Sequence, residues 1–217
     1  MKRLLHKTPV WIQKLYPDFV WKIPTDHKEL FLTFDDGPIP EVTEFVVDEL
    51  AKYNAQATFF CVGENIQKHL EIAKRVVEAG HALGNHTFNH LKGWQTNNFR
   101  YWKNVLACDK QISPLQEPLL LFRPPYGRIK RSQAAALHKY KIVMWNRLAW
   151  DFEKKLDRES AIRHLTDDAP TGSIFVFHDN VKSYANMREV LPAVLKHYSS
   201  NGFIFKAIPP NACDVPQ

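Results

Sequence analysis

The sequence predicts a single α/β domain in which a parallel sheet closes, or nearly closes, into a barrel. Two observations carry that expectation. Seven short apolar, β-prone runs alternate with stretches whose apolar residues recur at helical spacing. Such alternation favours parallel strands joined by crossover helices. Several of these runs also end on a carboxylate, an imidazole or a guanidinium, and a parallel barrel gathers the C-terminal ends of its strands on one rim. A chain of 217 residues is long enough for one sizeable core.

The first run, Leu30-Phe31-Leu32-Thr33-Phe34, ends on Asp35 and Asp36, and Gly37-Pro38 stops it. Behind Pro40, the residues Phe45, Val46, Glu49 and Leu50 recur at helical spacing. Residues 57–62 read as a second buried strand, and 64–79 as one helix ended by Gly80. A short strand over 81–84 runs directly into Asn85-His86-Thr87-Phe88-Asn89-His90. Residues 98–112 read as a helix, and 118–122 as a strand followed at once by Arg123-Pro124-Pro125-Tyr126-Gly127. A helix over 130–140 and a strand over 142–145 lead to a polar loop carrying Trp150-Asp151-Phe152. A helix over 158–165 precedes a strand over 172–177 that ends on His178-Asp179-Asn180. A helix over 187–198 and a strand over 203–205 complete the pattern.

Three parts are expected: a basic, aromatic arm over 1–28 packed on the body, the main domain over 29–208, and a tail over 209–217. The arm holds six Lys/Arg against Asp18 and Asp26, and so carries +4 of the formal net charge of +6. Its prolines, Pro9, Pro17 and Pro24, preclude a long amphipathic helix of the kind that lies on a membrane. With only +2 left for the body, no basic stripe marks a nucleic-acid surface. No apolar run approaches the ~20 residues of a membrane span. Three widely spaced cysteines, Cys61, Cys108 and Cys213, without C-x-x-C spacing suit free thiols, and no signal-peptide pattern is seen. These observations make a cytoplasmic location the expectation.

The residues at the strand ends define a chemistry. Adjacent aspartates on an apolar strand are costly unless a cation or an arginine offsets them. His86 and His90 have H-x-x-x-H spacing, which on a helical turn puts two imidazoles on one side. The H-E-x-x-H pattern of metalloproteases is absent, because Thr87 stands where its base would be. With Asp36 the pair makes a His2Asp ligand set with an open position, the arrangement of a hydrolytic zinc site. Asp35 is then free to act as general base. Arg123 is a candidate bidentate partner for Asp35, and the rigid Pro124-Pro125 pair would fix the Tyr126 amide as an oxyanion donor. His178 follows four large apolar residues, and Asp151 offers a carboxylate that would raise its pKa and make it a general acid. Each piece alone reads as a solvated turn, a surface arginine or a satisfied core histidine; their common position after predicted strands is what joins them. The aromatics Trp94, Tyr101, Trp102, Tyr126, Trp145 and Trp150 are candidates for stacking on a sugar ring, and equally for the core.

Taken together, Thr33-Phe34-Asp35-Asp36-Gly37-Pro38, His86-Thr87-Phe88-Asn89-His90, Arg123-Pro124-Pro125-Tyr126-Gly127, Trp150-Asp151-Phe152 and Val176-Phe177-His178-Asp179 resemble the five ordered motifs of the NodB-homology polysaccharide deacetylases, carbohydrate esterase family 4. The resemblance spans roughly residues 30–208. It implies an irregular (β/α)7 barrel and a metal-dependent deacetylase acting on an N-acetylated, or O-acetylated, saccharide. By that resemblance Asp35 is the base, and Asp36, His86 and His90 hold one divalent metal ion. Arg123 pairs with the base, the Tyr126 amide steadies the oxyanion, and His178, tuned by Asp151, is the acid. Pro124, Phe152 and Val176 line the substrate pocket; Phe152 stands where a Trp is common, and Val176 where a Leu is common. The ligand set suits zinc, with cobalt, nickel, iron or manganese as the other ions it would accept. A catalytically silent carbohydrate-binding relative and a hydrolase of a non-sugar amide are the competing readings. No nucleic-acid partner is expected, and no protein partner follows from the sequence.

Overall fold

The structure, a computed structural model, describes residues 5–210. Residues 211–217 of the expected tail, Cys213 among them, lie outside the described residues. The elements in chain order are α1 (Val10–Leu15), β1 (Glu29–Asp35), α2 (Val42–Ala51), β2 (Ala57–Cys61), α3 (Gly63–Lys68), α4 (Leu70–Glu78), β3 (Ala82–Asn85), α5 (Asn98–Ile112), β4 (Leu121–Phe122), α6 (Arg131–Ala136), β5 (Lys141–Ile142), β6 (Arg147–Leu148), α7 (Arg158–Thr166), β7 (Ile174–His178), α8 (Tyr184–Ser200) and β8 (Ile204–Phe205).

All the strand pairings within the sheet are parallel, in the order β5-β4-β3-β2-β1-β7-β6. β8 pairs with the first two residues of β1, ahead of the point where β2 begins to pair. Eight strands thus stand where seven were expected. The extra one is β6, which lies just past the segment predicted as a single strand over 142–145. The chain makes β5 against β4, leaves the ladder for four residues, and returns as β6 against β7. One segment therefore supplies both ends of the sheet, which curls into an irregular barrel.

Residues of the arm fill the break. Val20 bridges Val143, and Lys22 bridges Ser173. Val20, Ile23, Phe31, Phe60, Leu121, Val143, Ile174 and Ile208 form the apolar interior of the barrel. A second, larger cluster lies between sheet and helices, and joins Leu30, Leu32 and Phe34 to Phe175, Phe177, Val46, Leu50, Val190 and Leu191. The two clusters follow from the two-residue period of a strand. In β1, Leu30, Leu32 and Phe34 face the helices, so Phe31, Thr33 and Asp35 face the interior. In β7, Ile174, Val176 and His178 share the interior face.

Two helices differ from the sequence reading. The helix expected over 64–79 is broken at His69, whose φ of −129° and ψ of 48° leave the helical region. The helix expected over 130–140 ends at Ala136, and the chain continues as turn. Among the described residues no helix is long and apolar enough to cross a membrane.

Candidate metal centre and active site

The C-terminal ends of β1, β3, β4 and β7 bring the predicted side chains to one rim. Asp35 is the last residue of β1 and His178 the last of β7, and the two are paired in register. Arg123 follows β4, and His86 follows β3.

His86 and His90 reach the same place by a route the spacing did not foretell. The segment between them is not helical: Thr87 has φ +67° and His90 has φ +56°. These left-handed residues fold the loop tightly enough to turn both rings toward Asp36. Nε2 of His86 and of His90 lie 3.5 and 3.2 Å from Asp36 Oδ1. Four ligands held at about 2.0–2.1 Å around a tetrahedral zinc are about 3.3 Å apart, so the trio has the spacing a bound ion requires. Asp36 Oδ1 is buried and accepts no hydrogen bond, so a lone pair is left for an ion. Nδ1–H of His86 donates to the Arg123 carbonyl at 2.7 Å, which leaves Nε2 unprotonated toward the same point. The donor set fits a divalent metal ion.

Arg123 is fully buried beneath the rim. One guanidinium nitrogen, Nη1, donates to Asp35 Oδ1 and to Thr33 Oγ1, each at 2.7 Å. Nε and Nη2 donate to the carbonyls of Val143 and Met144 at 3.0 Å. The expected pair with Asp35 is present, but through one nitrogen rather than as a two-point fork. The guanidinium carbon of Arg123 lies over the Phe60 ring, 4.1 Å from its centroid.

His178 and Asp151 form the second pair. Asp151 is fully buried, accepts Nδ1 of His178 at 2.8 Å with Oδ1, and accepts the His178 backbone N–H at 2.7 Å with Oδ2. Burial would lower the pKa of His178; the Asp151 carboxylate outweighs it, with help from Asp36 and Asp35, and pushes it up to about 9.

The remaining predicted residues border these pairs. Tyr126, at φ +60°, sits in a tight turn after the buried Pro124 and Pro125, with its ring 4.6 Å from that of His90. Phe152 packs edge-on against His178 at 4.9 Å. Val176, buried, lies two residues below His178 on the same face of β7. Of the candidate stacking aromatics, Trp94 and Tyr126 meet beside His90, whereas Tyr101 is fully buried in the core and Trp102 stacks on Phe99 along α5. Five of the nine non-glycine residues with positive φ among the described residues are Asp36, Thr87, His90, Tyr126 and Trp150, all within or beside these motifs. Backbone strain of this kind gathers at functional sites.

Sequence reasoning assigned no role to Asp179 and Asn180. Asp179 Oδ1 accepts Gly37 N–H at 2.9 Å, and Oδ2 accepts the Thr43 hydroxyl at 2.6 Å. Burial pushes this carboxyl up to about 8, against the lowering effect of those two bonds. Gly37 is the residue that permits the approach, because a Cβ there would stand 1.9 Å from Asp179 Oδ2. The signal available in the sequence was position alone: both residues directly follow a strand end already marked as functional.

The polysaccharide deacetylase family model matches residues 22–145. The chain belongs to the polysaccharide deacetylase family. Within that family it is similar to a peptidoglycan-N-acetylglucosamine deacetylase of Bacillus cereus, at 31% identity over 194 residues, 87% of this chain and 90% of the relative. It is also similar to the crystal structure of a peptidoglycan N-acetylglucosamine deacetylase in complex with 4-naphthalen-1-yl-N-oxidanyl-benzamide. The TM-score is 0.83 at 28% identity, over 93% of this chain and 95% of that one. A carbohydrate esterase family 4 pseudoenzyme from Bacillus anthracis shares the fold, with a TM-score of 0.77 at 20% identity over 91% of this chain and 69% of that one. Since this deacetylase barrel is shared with a pseudoenzyme, the side chains on its rim carry the functional argument.

Proposed function

We propose that this polysaccharide deacetylase is a metal-dependent hydrolase that removes the acetyl group from N-acetylglucosamine units of a glycan. The observation that carries the reading is the meeting of three independent pairings on one rim: Asp36 with His86 and His90, Asp35 with Arg123, and His178 with Asp151. The names of the similar relatives support the sugar and the acetyl group as substrate.

Asp36, His86 and His90 would hold the ion, with zinc the best match to two imidazoles and one carboxylate. When bound, such an ion supplies Lewis acidity to water and to the acetyl carbonyl. Arg123 holds Oδ1 of Asp35, so the carboxylate keeps a fixed direction and offers its other oxygen to a water proton. The Tyr126 amide donates to the oxygen that becomes negative as the acetyl carbon turns tetrahedral. His178, kept protonated by Asp151, gives its proton to the sugar nitrogen as the amide C–N bond breaks. Acetate and the free amine are the products. Pro124, Phe152 and Val176 line the space for the acetyl methyl.

The test is acetate release from N-acetylglucosamine oligomers and from O-acetylated xylan, with and without zinc. Asp35→Asn is expected to keep metal and lose turnover, and His90→Ala to lose both. A turning-over Asp35→Asn enzyme removes Asp35 as the base. Protein that binds the oligomers without metal or hydrolysis would instead be a binding-only member of the family.

A further inference from the structure

The end of β7 grips the turn carrying the two rim aspartates at three points. The Asp179 N–H donates to the Asp35 carbonyl at 3.0 Å, the Gly37 N–H donates to Asp179 Oδ1 at 2.9 Å, and Asn180 Nδ2 donates to Asp36 Oδ2 at 2.6 Å. The first two fix backbone. The third reaches the ligand carboxylate itself.

Asp36 therefore has two oxygens in different states. Oδ1 faces the imidazoles and has no hydrogen bond, whereas Oδ2 is occupied by an amide donor. The donor is not free to turn away. Asn180 Oδ1 accepts the Ser183 N–H at 3.0 Å, just before α8, and this directs Nδ2 toward Asp36. The backbone of Asp36 is held as well, by φ of +86° and by Asn65 Nδ2, which donates to its carbonyl at 2.8 Å.

A carboxylate beside a divalent ion binds through one oxygen or through two. One-oxygen ligation with two imidazoles leaves a four-coordinate site that suits zinc, whereas two-oxygen ligation raises the coordination number toward that of harder, oxygen-seeking ions. We infer that Asn180 is a positioning residue that restricts Asp36 to one-oxygen ligation and thereby sets the coordination number and the metal preference of the site. This inference rests on the metal reading given under Proposed function.

The experiment uses the full chain and two variants. Asn180→Asp keeps the shape and the acceptor for Ser183 N–H, replaces the donor with an oxygen and adds a negative charge. Asn180→Ser is neutral, keeps a capping oxygen, and is too short to hold Asp36 Oδ2 at the present distance. Zinc and manganese affinities are measured by chelator competition, cobalt(II) absorption reports coordination number, and thermal unfolding in chelator reports the fold without metal. Expected in both variants are zinc binding weakened by roughly 10- to 100-fold, a smaller zinc-over-manganese ratio, and visible cobalt bands that lose intensity as a tetrahedral site gains a ligand. Wild-type affinity and an unchanged cobalt spectrum in both variants overturn the inference. A loss confined to Asn180→Asp also overturns it, because the added charge beside the Asp36 carboxylate, rather than the lost donor, then explains the effect. Should one variant fail to fold, the other decides. A wild-type chain that binds none of these ions removes the metal reading itself, an outcome distinct from unaffected variants.

Discussion

The pairing of His178 with Asp151 makes a quantitative prediction for Asp151→Asn. With Asp151 ionised, His178 is pushed up to about 9. The opposing influence is burial, and the smaller supports from Asp36 and Asp35 remain after the substitution. A bound divalent ion would offset the support from Asp36 further, so loss of Asp151 returns His178 to its ordinary 6.5 or below. At pH 8 about 90% of His178 is protonated when its pKa is about 9, and only about 3% when it is about 6.5. Catalysis that needs the imidazolium as acid should fall by about 30-fold or more at pH 8, and by less at pH 6. The assay is acetate release across pH 5.5–9.5, alongside NMR titration of the His178 ring in metal-free protein. Stability follows the same sign. The folded pKa lies above the unfolded one, so the pair's contribution is fully present below about pH 6.5 and is lost as pH rises through about 9. Its size is about 3 kcal/mol at about 1.4 kcal/mol per pH unit. A uniform drop in rate across the whole range, with an unmoved NMR titration, would refute the assignment of His178 as an acid tuned by Asp151.

Other outcomes follow from the same geometry. Arg123→Met leaves the nearly buried Asp35 carboxylate and two carbonyls without their donor. It should cost about 3–5 kcal/mol in urea unfolding, and a loss below about 1 kcal/mol would mean the pair is not structurally coupled. Gly37→Ala puts a Cβ 1.9 Å from an Asp179 oxygen that Thr43 already holds. A destabilisation of about 1–3 kcal/mol by thermal unfolding is expected, because the buried contact must be relieved by backbone movement. Zinc at 100 times its Kd should stabilise the chain by about 2.7 kcal/mol, seen as a rise of several degrees in Tm that chelator reverses. His86→Ala should abolish that rise.

How far the sequence determined this protein can be judged residue by residue. The alternation of apolar runs with helix-spaced stretches determined the layers, a parallel sheet covered by helices. The two-residue period of β1 then puts Leu30, Leu32 and Phe34 on one face and Phe31, Thr33 and Asp35 on the other, and packing against α2 and α8 makes the first the helix-covered face. Chemistry at the strand ends was legible for the same reason, because a parallel barrel gathers those ends whatever the loops do. The pairs Asp35–Arg123 and Asp151–His178 could be named from position and charge alone. Tertiary structure decided the rest. His86 and His90 converge through two left-handed backbone positions, a conformation that residue spacing does not encode. The segment over 141–148 holds two short strands because its halves pair with different neighbours, β4 before it and β7 after it, at opposite ends of the sheet. The break at His69 and the early end of α6 are backbone departures that the apolar spacing did not mark. Asp179 and Asn180 escaped notice because their role is a set of hydrogen bonds to the turn over 35–37, more than 140 residues away along the chain. Periodicity reports which face a residue occupies; only packing reports which distant backbone it holds.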